Sequence, residues 1–161
     1  MTTPILGQAP AIACRPRWLA RTALTRLFIP LVLNAPAVAA DLVVQVRGLA
    51  PPLGQVGCSL FRRGEGFPMD NRRAQVQWLP AQPETATCRF TGLEPGRYAL
   101  AVAHDRNGNR RVDSNFLGLP TEPWGVSNNV RPALRAPTYE EAAFTLDSAA
   151  TELNLQIEVA P

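Results

Sequence analysis

The densest run of oxygen-bearing side chains in this 161-residue sequence is Asp105-Arg106-Asn107-Gly108-Asn109-Arg110-Arg111-Val112-Asp113. Asp105, Asn107, Asn109 and Asp113 stand at positions one, three, five and nine of a loop with Val112 at eight, the front half of a calcium loop. Alternate residues of a tight turn can aim their oxygens at one hard cation, and a main-chain carbonyl, here that of Arg111, completes the set. Two departures count against an ion: Arg110 stands where such loops carry glycine, and Phe116 stands where a bidentate Glu closes the shell. The three arginines add like charge beside any cation. The competing reading is an Asx-rich turn whose side chains bond their own backbone. Both readings remain open on the sequence, and an ion held by so few carboxylates would be weakly bound.

Other chemistry is sparse. His104 is the sole histidine and precedes Asp105, but neighbours in a strand point to opposite faces, so the two would pair as acid and base only with help from the turn, and a hydrolase using them is the less favoured alternative. There is no nucleophile elbow and no second histidine for a zinc triad, so no catalytic centre and no cofactor other than calcium is expected. A second candidate site is aromatic. Asn115-Phe116-Leu117-Gly118-Leu119-Pro120 and Pro123-Trp124-Gly125-Val126-Ser127-Asn128-Asn129 offer Phe116 and Trp124 for stacking and Asn128 and Asn129 for hydrogen bonds, a chemistry that suits a glycan or an extended peptide. The alternative, preferred because a long loop needs apolar packing of its own to be ordered, has Phe116 and Trp124 fold the loop down as a lid, joined by Phe67-Pro68-Met69.

The elements that would position these residues are strands. Alternation of apolar and polar residues predicts seven: 41–47, 55–61, 75–79, 85–91, 97–104, 143–146 and 152–159. Pro51-Pro52-Leu53-Gly54 and Leu93-Glu94-Pro95-Gly96 make short turns, whereas 62–74 and 105–142 are long connections, the second beyond normal loop length. Thr138 before Glu140 and Glu141 predicts a helical turn within it. The fold class expected is all-β, an immunoglobulin-like or transthyretin-like sandwich of about seven strands.

Residues 1–40 read as a secretory signal peptide, with Arg15, Arg17, Arg21 and Arg26 ahead of apolar Leu27 to Leu33 and a small-residue Ala37-Val38-Ala39-Ala40 exit. The apolar run is too short to span a bilayer. Residues 41–161 are then the sandwich domain, periplasmic or extracellular. All sixteen basic residues are arginines and four leave with the leader, so twelve face thirteen acids and the mature charge is minus one. The basic character of the whole sequence therefore says nothing of nucleic acid, which is not an expected partner; a protein, peptide or glycan of the envelope is. Cys14 also leaves. Cys58 shares the side of Val56 and Leu60, and Cys88 that of Ala86 and Phe90, so both face the core. An even pair in an oxidising compartment suggests a disulfide, with two buried free thiols as the alternative.

The chain resembles the domain of unknown function 2141 family of exported bacterial proteins. The likeness rests on Gly54-Gln55-Val56, Glu65-Gly66-Phe67-Pro68, Leu93-Glu94-Pro95-Gly96-Arg97-Tyr98, His104-Asp105 through Asn107-Gly108-Asn109 to Asp113, the Asn115–Pro120 and Gly125–Asn129 runs, and Ala143-Phe144-Thr145-Leu146. The resemblance implies an exported all-β domain and assigns no activity. Relatives carry glycine where this chain has Arg110, and the cysteine pair is peculiar to this member. The Leu-x-Pro-Gly-x-Tyr turn is also similar to transthyretin-like and collagen-adhesin B-type sandwiches; the transthyretin-like hydrolases use a cluster of histidines, and this chain has one. The function expected is a non-enzymatic binding or accessory module.

Overall fold

The computed structural model describes residues 39–147, 149 and 151–160. The signal-peptide assignment lies outside them except for Ala39 and Ala40, the latter opening the first strand. Among the described residues eight strands form two sheets: β1 (Ala40–Arg47), β2 (Gln55–Phe61), β3 (Gln75–Pro80), β4 (Ala86–Leu93), β5 (Gly96–Asp105), β6 (Trp124–Val126), β7 (Phe144–Leu146) and β8 (Glu152–Glu158). One sheet runs β4-β1-β8 and the other β3-β2-β5-β6, with β7 beside β5. All pairings are antiparallel except β1 with β8, which is parallel in register Asp41↔Glu152 to Arg47↔Glu158.

The alternation that predicts the strands also builds the core. Leu42, Val44 and Val46 of β1, Cys88 and Phe90 of β4, and Ile157 of β8 face Val56, Cys58 and Leu60 of β2 and Leu100 and Val102 of β5, all buried. Each such branched side chain stabilises the fold by about 1.5–3 kcal/mol on leaving water. Cys58 and Cys88 form a disulfide across this core, joining β2 of one sheet to β4 of the other with a Cα separation of 6.5 Å, within ordinary disulfide reach.

The structure corrects the expected layout in one place. The segment 105–142 is not a single long loop. It contains β6, a 3-10 turn at Ser127–Asn129 and the helical turn α1 (Tyr139–Ala142). Sequence periodicity misses β6 because three residues with Gly125 at the centre carry no alternation. α1 forms where expected: the Thr138 hydroxyl accepts from the Glu141 N–H at 3.4 Å, and the Glu141 carboxylate accepts from the Thr138 N–H at 2.8 Å, a reciprocal capping box. Gly54, at φ +77°, brings β2 against the end of β5 so closely that a Cβ there would lie 2.1 Å from the Asp105 carbonyl oxygen.

Candidate functional site

Asp105, the last residue of β5, is fully buried. Its Oδ1 accepts from the N–H groups of Gly108 at 2.7 Å and Asn109 at 3.2 Å, and its Oδ2 from that of Arg110 at 2.6 Å. A carboxylate that satisfies three backbone donors holds the following turn in one shape. Asn107 and Asn109 continue the pattern, each accepting through its side-chain oxygen from the N–H two residues on, at 3.0 and 2.8 Å. Their amide nitrogens donate to the two oxygens of Asp113 at 2.6 and 2.8 Å. The structure thus brings Asp105, Asn107, Asn109, Arg111 and Asp113 into one closed ring. Arg110 takes φ +61° there, the left-handed conformation that explains why glycine would suit the position. Among the described residues, no three His, Cys, Asp or Glu side chains converge as a metal shell would need. The donor set fits hydrogen bonding as it stands; an ion would need the two amides of Asn107 and Asn109 to leave Asp113.

Sequence reasoning missed Glu122. It is 6% exposed, and its carboxylate accepts from Arg106 N–H at 2.8 Å and Asp113 N–H at 3.1 Å, fastening both ends of the Asp105 loop. Nothing in the sequence marks it, since an acid between Pro120 and Pro123 is ordinary in a solvated loop. His104 points the other way, into the core, with Nε2 2.9 Å from the Leu53 carbonyl oxygen.

The larger feature lies on the outer face of the five-stranded sheet. One rung across four strands reads Trp78 (β3), Gly57 (β2), Ala103 (β5), Trp124 (β6), and the next reads Val76, Ser59, Ala101, Val126. Small residues therefore floor a trough between two tryptophans. With strands about 4.8 Å apart, the outer backbones of a four-strand rung stand about 14 Å from each other. The Trp78 ring lies over Gly57, where a Cβ would come within 2.6 Å of it. Trp124 is held by main-chain pairing to Ala160 and by Arg131, whose guanidinium carbon is 4.5 Å from the ring centroid and which donates to the Trp124 carbonyl. Segments 110–120 and 131–137 roof the trough into a cavity of about 820 Å³. Arg110, Arg111, Arg131 and Arg135 line it, and among the described residues no Asp or Glu does. The outward positions Ala99, Ala101 and Ala103 of β5 are the sequence signal that was available, being apolar where a solvated sheet face would be polar.

Of the sequence-predicted ligand residues, Trp124 lines this cavity and the others do not. Phe116 is 95% exposed, so its part in the lid reading is corrected, whereas Trp124 does pack down, against the buried cluster of Ala99, Val126 and Ala142. The loop is instead ordered by Asn115, whose Oδ1 accepts from Leu117 and Leu119 N–H at 2.9 and 3.0 Å, and a polar turn needs no aromatic packing. Phe67 packs edge-on against Phe61 and Tyr139 rather than Phe116. Asn128 and Asn129 adopt φ +62° and +51°, a conformation Asn tolerates. The Asn128 amide donates to the Glu141 and Ala143 carbonyls, and Asn129 bonds Gln156 and Glu158 of β8. Both tie β6 to its neighbours.

A family model described as an uncharacterized protein conserved in bacteria (DUF2141) matches residues 44–154, more than half of the chain. No curated protein and no solved structure matches the chain.

Proposed function

Because the chain belongs to this DUF2141 family, whose description names no activity, we propose its role from its own geometry: an exported, non-catalytic binding module whose ligand seat is the trough on the outer face of the five-stranded sheet. The observation that carries the reading is the rung Trp78-Gly57-Ala103-Trp124, two aromatic walls over a floor without bulk. A cavity of about 820 Å³ falls in the range that takes up a small molecule, and apolar lining with few polar groups is the usual character of such sites. The buried disulfide supports export.

Sugars ask for carboxylates and amides as well as aromatic faces. Besides the indoles, the uncharged polar side chains in the lining are Ser59 and Asn71, bonded to each other at 2.9 Å, so an apolar-bodied ligand is preferred to a glycan. The Asp105 loop serves in this reading as a rigid wall. The test is fluorescence titration with the neutral aromatic probe N-phenyl-1-naphthylamine. Saturable one-to-one binding is expected, weakened roughly tenfold or more by Ala103→Leu, which puts an isobutyl group between the tryptophans. No saturable binding, or equal binding by Ala103→Leu, overturns the reading.

A further inference from the structure

The charges around the trough are one-sided, and the fold makes them so. Of its four arginines, Arg135 is paired with Glu141 through two hydrogen bonds of 2.8 and 2.6 Å, and Arg131 is engaged with the Trp124 and Ala160 carbonyls. Arg110 and Arg111 are different. Both residues line the cavity, and among the described residues neither has an ion-pair partner. The acids nearest in sequence do not neutralise them, because Asp105 and Glu122 are turned inward onto backbone N–H groups and Asp113 onto the Asn107 and Asn109 amides. The hydrogen-bonded ring therefore turns the loop's carboxylates onto its own backbone and amides, while the arginine residues stand along the cavity. Arg110 also occupies a left-handed position, φ +61°, that glycine adopts more readily than a residue with a Cβ.

We propose that the ligand of this trough is a free small organic acid, with an apolar ring-bearing body seated between Trp78 and Trp124 and one anionic group held by Arg110 and Arg111. The inference rests on the trough being a ligand seat. Charge complementarity selects the anion, since two guanidinium groups offer forked donors to a carboxylate, sulfonate or phosphate. The size and concavity of the half-open cleft, about 820 Å³, select a free small molecule over a membrane surface or a folded partner.

The two parts are separated by a matched pair of probes titrated against the purified protein. 8-Anilinonaphthalene-1-sulfonate and N-phenyl-1-naphthylamine share one aromatic body and differ by the sulfonate. The anionic probe is expected to bind at least about tenfold more tightly, and the ratio of the two dissociation constants is expected to collapse toward one in Arg110→Asn/Arg111→Gln. Asn is chosen at 110 because it tolerates the left-handed backbone, and near-UV circular dichroism checks the fold of the variant. Equal affinities for the two probes in the wild type, or a ratio that survives the double substitution, overturns the anion and leaves the seat. Failure of both probes to saturate, or binding of both unchanged by Ala103→Leu, removes the seat and the anion with it.

Discussion

Opening the Cys58–Cys88 bridge without altering any side chain isolates what the covalent link between the sheets contributes. The cysteines are 30 residues apart. In the chain-entropy description, closing a loop of about 30 residues removes about 12 cal/mol/K from the unfolded chain, or about 3.6 kcal/mol at 25 °C. Comparing oxidised and reduced forms of residues 41–161 avoids the cavity that an alanine variant would add. With a urea m-value of about 1.5 kcal/mol/M, the midpoint is expected to fall by about 2.4 M on reduction. A domain of this length has an unfolding entropy near 250 cal/mol/K, so the melting temperature is expected to fall by about 14 °C. Both sulfurs sit at fully buried positions, so reduction has to be carried out in denaturant and the protein refolded in reductant before the measurement. A difference below about 1 kcal/mol, or two titratable thiols per oxidised chain, would refute the reasoning.

Two further perturbations bear on the loops. The Asp105 ring meets its hydrogen-bonding needs internally, so melting in millimolar calcium and in chelator is expected to agree within about 1 °C; a rise of several degrees with calcium would assign an ion to Asp105, Asn107, Asn109 and Asp113, since a ligand of the folded state stabilises it by linkage. Arg135 and the Thr138 cap hold the Glu141 carboxyl down at about 2 from an ordinary 4.5. A depressed folded-state pKa contributes stability that is full above the unfolded value and is lost as the pH falls from 4.5 toward about 2. NMR titration of Glu141 is expected to show that low midpoint and its return toward 4.5 in Arg135→Ala; a midpoint near 4.5 in the wild type would contradict the capping-box geometry.

What the sequence made legible was local. Alternation located β2 from Gln55 to Phe61 and the core-facing side of Cys58, and Thr138 announced α1, because each signal lies within a few neighbouring residues. Strand order was not legible, since the adjacency of β1 and β8 joins residues more than a hundred positions apart. The trough escaped for the same reason: Trp78, Gly57, Ala103 and Trp124 become neighbours through register alone. Asn128 and Asn129 looked like ligand groups because an amide in a loop suggests recognition, but here the backbone needs them. Glu122 was silent because its partners, the N–H groups of Arg106 and Asp113, carry no side-chain signature.

The parallel seam between β1 and β8 sets a timetable for the growing chain. β1 is the first of the described strands, and its second edge stays open until residues 152–158 have emerged. Trp124 likewise waits for Ala160. Pairings of such sequence separation form slowly, so neither the core nor the aromatic wall is complete before residues 152–160 are available.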